Sequence, residues 1–270
     1  MSRDYSNCIT TVGEVADAIE QFAPLSTQAS YDNSGLIVGR PSMLVGGVLL
    51  AVDLTEEVLS EALEEGCNMI VTHHPIIFSP LKRLNSASYI ERCVERAIRH
   101  DVAIYAAHTN LDSAVGGMSW RLGSVLGLEK MEVLEASSQG SEVGFGVVGE
   151  LAEAIAVEEF LDRIAQRLSV DVMRHSEVVS PTIRRVAVCT GSGGSLLASV
   201  VARDCDLYVT ADLRYNDFLD AQKCVTVVDI GHFESEYCAI EILNDLLSKK
   251  MINFAVRASR KCANPVHYSK

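Results

Sequence analysis

Residues 46–74 read GGVLLAVDLTEEVLSEALEEGCNMIVTHH, and this stretch decides the fold class. Residues 46–53 form an apolar, strand-like run that stops at Asp53. Residues 54–66 carry helical spacing, with Thr55 at the start, acids in the first turn and Gly66 at the end. Residues 68–72 (NMIVT) are a second short apolar strand. Strand, helix and strand at this spacing make a βαβ unit, which implies parallel pairing beneath a crossover helix.

The rhythm continues outward. Residues 87–100 read as an amphipathic helix, and 102–108 (VAIYAAH) as a strand ending at a histidine. Gly116 and Gly117 open a helix over 118–128. Polar, glycine-containing residues 135–144 read as a surface loop or linker, followed by a strand (143–151) and a helix (157–169). The alternation then restarts. Strands are expected at 183–190, 205–212 and 225–232, with helices at 196–204, 213–224 and 233–251. The expected organisation is a first α/β lobe over 1–128 and a second over 129–232, with 233–270 packing back onto the first.

Composition limits the function classes. The 270 residues suffice for two ordinary domains, and 48% hydrophobic against 22% charged residues supports a sizeable core. A net charge of -13 with scattered basic residues argues against general nucleic-acid binding. An anionic small molecule stays open, since a metal ion can supply local positive charge. Cys8, Cys67, Cys93, Cys189, Cys205, Cys224, Cys238 and Cys262 include no C-x-x-C pair, and residues 1–15 lack an apolar signal core. The expectation is reduced, mostly buried thiols in a cytoplasmic protein. The longest apolar run (43–52) is short of the roughly 20 residues that span a bilayer, so no membrane association is expected.

Ligand-type side chains recur at the carboxyl ends of expected strands: Asp53, His73 with His74, His108 to Asp112 (HTNLD), and His232 to Glu236 (HFESE). Open α/β sheets bind ligands at those ends. His232 and Glu236 are four apart at a helix start and share one face. His108 and Asp112 have the same separation in a less regular setting. Adjacent strand residues point to opposite faces, so His73 and His74 are expected to serve two ions rather than one. A carboxylate such as Asp112 or Glu236 can bridge two ions; an imidazole does so poorly. Each residue also has a plainer reading. A lone histidine at a strand end is more often a hydrogen-bonding group than a ligand, and only the combination of motifs favours metal. Asp53 either caps the following helix or belongs to the site. Gly191–Gly194, within TGSGGS, is either a tight, closely packed turn or a phosphate cradle. His100, His175 and His267 lack carboxylate neighbours at useful spacing and read as surface or core residues.

Seven stretches carry a resemblance: YDNSGLIVGRP (31–41), VDLTEEVLSEA (52–62), VTHHPIIFSPLK (71–82), IYAAHTNLDSAVGG (104–117), AVCTGSGGS (187–195), DLYVTADLRYND (206–217) and VVDIGHFESE (227–236). On these the chain resembles the NIF-three-like family, whose members are often named GTP cyclohydrolase 1 type 2 homologues. The resemblance implies two α/β lobes with mostly parallel sheets flanked by helices, and a dinuclear metal site in the cleft between them. It implies His73, His74, Asp112, His232 and Glu236 as metal ligands, with His108 as an outer ligand or proton-transfer group. It also implies a toroidal homohexamer, and the stretch 129–182 has the length of the short family form. Ala211 and Asn216 depart from the family pattern TGD-x-x-YH, which removes a histidine outside the ligand set.

The expected function is a hydrolase using two divalent ions, from zinc, manganese, iron, cobalt or nickel, on a nucleotide or other phosphorylated small molecule. GTP ring opening is one candidate reaction, with His108 as catalytic acid/base. The alternative is a metal-binding, storage or scaffold protein without turnover. No cysteine is expected among the ligands.

Overall fold

The computed structural model describes residues 9–250 and 254–269. Cys8 and Met251 lie outside these residues. In chain order the first elements are α1 (Val12–Glu20), β1 (Gly35–Val38), β2 (Gly47–Ala51), α2 (Glu56–Glu65), β3 (Met69–Thr72), α3 (Tyr89–Arg99) and β4 (Ala103–Ala106). There follow α4 (Thr109–Ser113), α5 (Met118–Leu126), β5 (Glu129–Ala136), β6 (Gly144–Ala156), α6 (Val157–Leu168), β7 (Arg174–His175) and β8 (Thr182–Ser192). The last are α7 (Leu197–Ala202), β9 (Leu207–Ala211), α8 (Tyr215–Asp220), β10 (Thr226–Asp229), α9 (His232–Glu236), α10 (Cys238–Lys250) and β11 (Ala255–Ala258). They fall into two compact units. One holds the residues up to Leu111 together with Ala239–Ala263, and the other Asp112–Cys238 together with Asn264–Lys270.

In the first unit the described residues form a five-stranded sheet in the order β1-β4-β3-β2-β11. Four strands run parallel and β1 is antiparallel to β4. The central parallel strands β2, β3 and β4 are short and buried along their length, as a sheet covered on both faces requires. Helix α2 starts at Thr55, whose hydroxyl accepts from the Val58 amide at 3.2 Å, and stops at Gly66 with φ 76°. Thr55, not Asp53, is therefore the cap. Val58, Leu59 and Ala62 of α2 pack with Val94 and Ala97 of α3 against Leu49, Ile70 and Ile104 of the sheet. The pairing register aligns Ala51 with Thr72 and Thr72 with Ala106. Asp53, His74 and His108 each follow an aligned residue by two positions, so one register brings all three to the same sheet edge.

The second unit carries a six-stranded sheet among the described residues, ordered β5-β6-β8-β9-β10-β7. Only β8, β9 and β10 run parallel; β5, β6 and β7 join antiparallel. The expectation of mostly parallel sheets thus needs correction here. The stretch read as a surface loop over 135–144 is the turn of a long β5–β6 hairpin, which needs no crossover helix. The unit boundary also differs from the expected one. Leu122 and Leu126 of α5 pack into a core with Val147, Phe160, Val188 and Val209, so α5 belongs to the second unit. The single helix expected over 233–251 is two, α9 and α10, separated at Tyr237. Ala211 is buried at the end of β9, and Asn216 is exposed on α8. No helix among the described residues is long and apolar enough to cross a membrane.

Candidate metal centre

The first unit supplies three histidines. His73 and His74 stand just past β3, not within it. The Thr72 hydroxyl donates to the His74 carbonyl at 2.7 Å, while the His73 and His74 amides donate back to Ala51 and Val52. The chain has left extended geometry there, so strand alternation does not apply. The two rings lie on the same side, with centroids 5.0 Å apart, which overturns the expectation that they diverge. His108 joins them at 5.2 and 5.4 Å, and one ring nitrogen from each of the three lies within 4.8 Å of the others. Imidazoles converging on one point suit a cation held by ring lone pairs.

Each ring is held at Nδ1. That of His73, a fully buried residue, donates to the Ala107 carbonyl at 2.8 Å. A carbonyl can only accept, so in the neutral ring Nδ1 carries the hydrogen and Nε2 the lone pair. His74 Nδ1 pairs with Asp53 Oδ1 at 2.8 Å, and His108 Nδ1 with Asp32 Oδ1 at 2.7 Å. Asp32 is itself braced by the Thr109 amide at 3.0 Å, the Thr109 hydroxyl and the Ser34 hydroxyl. Burial opposes its ionisation, but the bonds from His108, Thr109 and Ser34 outweigh burial and hold its carboxyl below the usual carboxylate range.

The second unit carries a separate group of ligand-type side chains, His232, Glu236 and Asp112. His232 and Glu236 occupy the ends of α9, with Nε2 and Oε2 2.9 Å apart. His232 Nδ1 pairs with Asp212 Oδ2 at 2.7 Å. The hydrogen bond with Glu236 raises the His232 pKa to about 9, desolvation opposing it and Asp212 adding to it. Asp212 sits at φ 54°, a left-handed conformation uncommon outside glycine, where the chain leaves β9. Asp112 accepts from the Thr190 hydroxyl at 3.3 Å.

The glycine-rich stretch packs the site. Gly191 has φ 62°, and a Cβ there would fall 2.3 Å from Glu236 Oε1. A Cβ on Gly193 would fall 2.2 Å from Thr210 Oγ1 and the Tyr208 hydroxyl. The Tyr208 hydroxyl donates to the Gly193 carbonyl and the Thr210 hydroxyl to that of Gly191. Of its two readings, this is the tight, closely packed turn.

Two cysteines lie nearer these groups than their sequence positions suggest. Cys262 Sγ accepts from the Val52 amide at 3.2 Å, beside Asp53. Burial, together with the nearby charges of Asp112 and Glu236, pushes the Cys189 thiol up to about 12. His100, His175 and His267 are exposed. Asp32 and Asp212 lie within stretches that carry the family resemblance but not at ligand-type spacing from a histidine, and Asp53 is there divided between two roles. No local pattern reveals them, because their histidine partners are 76, 20 and 21 residues away.

An α/β chain whose strand-end histidines are braced through Nδ1 has the makings of a metal protein. The family model for Duf34/NIF3 (NGG1p interacting factor 3) matches residues 10–265, and the chain belongs to this family. A Clostridium perfringens protein named GTP cyclohydrolase 1 type 2 homolog is 31% identical over 261 residues, 95% of this chain and 99% of that one. A Streptomyces coelicolor protein of the same name is 31% identical, covering 94% and 93% of the two chains. A Staphylococcus aureus hypothetical protein of known crystal structure superimposes with TM-score 0.89 at 29% identity, covering 96% of this chain and 99% of the other.

Proposed function

We propose that the protein is a metal-dependent hydrolase that holds two divalent ions through His73, His74, Asp112, His232 and Glu236. Its substrate in this reading is a nucleotide or another phosphorylated small molecule. The observation that carries the proposal is the common bracing at Nδ1 of its three histidine ligands: His74 and His232 each hold an aspartate, and His73 a carbonyl. That arrangement orients imidazoles for coordination through Nε2. The donors are nitrogen and oxygen, which fits zinc, manganese, iron, cobalt or nickel. When bound, such ions supply Lewis acidity that polarises the bond under attack and eases deprotonation of water near neutral pH.

The chain's own groups do the rest. Asp112 and Glu236 would supply carboxylate oxygens to hold the cations. His108, oriented by Asp32, is placed to take or give a proton at Nε2. The name of the curated relatives suggests GTP ring opening as a candidate reaction, with C8 of the purine as the atom attacked. The proposed assembly is the homohexamer that the family resemblance implies, and light scattering on the purified chain measures it directly.

The test is metal-loaded protein against a panel of nucleotides and phosphoesters, with elemental analysis of the same sample. About two ions per chain are expected, with turnover absent from the His74→Ala, Glu236→Ala double variant. Turnover that survives in that variant would sink the hydrolase reading. The full burial of His73 and near burial of Glu236 favour a second reading, a site that holds metal without turning over substrate. Tight metal uptake with no activity on any panel member would establish it.

A further inference from the structure

Two exposed aromatic rings stand beside the three-histidine cluster of the first unit. Tyr31 is 69% exposed and Phe78 49%. Their centroids are 6.4 Å apart, with the rings tilted by 57°. Phe78 meets His108 edge-on, at 6.1 Å and 82°. The two loops are pinned together, since the Asn33 side-chain amide donates to the Ile77 carbonyl at 2.7 Å. The Tyr31 loop is tied to His108 as well, through Asp32 Oδ1 and the Ser34 hydroxyl. A purely structural staple would bury its rings, whereas Phe78 keeps about half of its surface exposed and Tyr31 more than half.

We propose that Tyr31 and Phe78 form a stacking corner that takes a planar heterocycle, a nucleobase or similar fused ring, and presents it to the histidine cluster. This rests on the proposed function for the chemistry done at that cluster. Both rings are exposed and tilted rather than stacked on each other, and aromatic rings take partners face-on or edge-on. A phosphate gains nothing from such a corner, and a fused aromatic base presents a π face that a sugar lacks. The pinned loops hold it ready, so little ordering is needed when a ring arrives. The part of a substrate that this corner selects is therefore its base, and the corner narrows the substrate class to those carrying one.

The test is calorimetric titration of the full chain, with its metal content measured, using guanosine and, separately, tripolyphosphate. Tyr31→Ala and Phe78→Ala are each expected to weaken guanosine binding roughly 5- to 100-fold, the scale of a lost base–aromatic stack. Tripolyphosphate affinity, metal content and melting temperature should stay unchanged, and Tyr31→Phe should keep guanosine affinity. Guanosine affinity indifferent to both alanine variants, or a wild type that binds no guanosine, would overturn the corner. So would loss of metal together with guanosine in Tyr31→Ala, since the ring would then only support the His108 loop. The hydrolase reading stands or falls separately, on ion count and turnover in the wild type and the double variant.

Discussion

An imidazole that binds a cation through one nitrogen must keep its hydrogen on the other, and Asp53 and Asp212 are placed to hold that hydrogen on His74 and His232. Asp53→Asn and Asp212→Asn are expected to weaken metal binding about 10- to 100-fold with the fold retained, read by calorimetric metal titration beside circular dichroism. Wild-type affinity in both variants would mean that the aspartates do not set ligand orientation. Gly191 makes a different demand. Its φ of 62°, and the 2.3 Å that would separate a Cβ at this position from Glu236, leave an alanine no room. Gly191→Ala should therefore displace the Glu236 carboxylate and lower both metal content and melting temperature; an unchanged metal content would refute the packing argument.

At the scale of elements, α2 and the chain after β11 are joined through one buried carboxylate. Glu61, 4% exposed, accepts from the Ser259 hydroxyl and from the Arg260 and Lys261 amides. Burial alone would raise its pKa, but these bonds and the Arg260 guanidinium lower it overall. A lowered folded-state pKa gives stability that is complete above the unfolded value, about 4.3, and is lost as pH falls through the folded value. Glu61→Gln should cost about 1–3 kcal/mol at neutral pH. Urea melts should show a smaller gap between variant and wild type at acid pH, and a gap that does not change with pH would rule out the ionised clasp. Thr55→Ala should cost about 0.5–2 kcal/mol by removing the cap of α2, read from the same urea melts.

The elements also show what sequence patterns carry. The βαβ unit over 46–72 is legible because apolar runs, a capping threonine and a terminal glycine are local signals. The β5–β6 hairpin is not, because residues 137–143 carry a turn in polar, glycine-containing sequence that reads equally well as a linker. The divergence expected of His73 and His74 fails for a related reason. Alternation holds only inside a strand, and β3 ends one residue earlier, at Thr72.

For the whole molecule, a cation bound only by the folded chain adds stability by mass action, about 2.7 kcal/mol at a free concentration 100 times the dissociation constant. Chelator treatment should therefore lower the melting temperature, and readdition of the metal should restore it. Differential scanning calorimetry of both samples checks this, and identical melting curves would count against tight metal binding. The sequence alone determined the strand-and-helix rhythm, the ligand types at strand ends and the family motifs, because each is written in neighbouring residues. Only the tertiary structure decided that the two histidine rings converge, that Asp32, Asp53 and Asp212 brace their partners, and that Tyr31 stands beside Phe78. The histidine rings converge because the strand ends before them, and the bracing and aromatic contacts join residues 20 or more positions apart, which strand register and loop packing bring together with no trace in local periodicity.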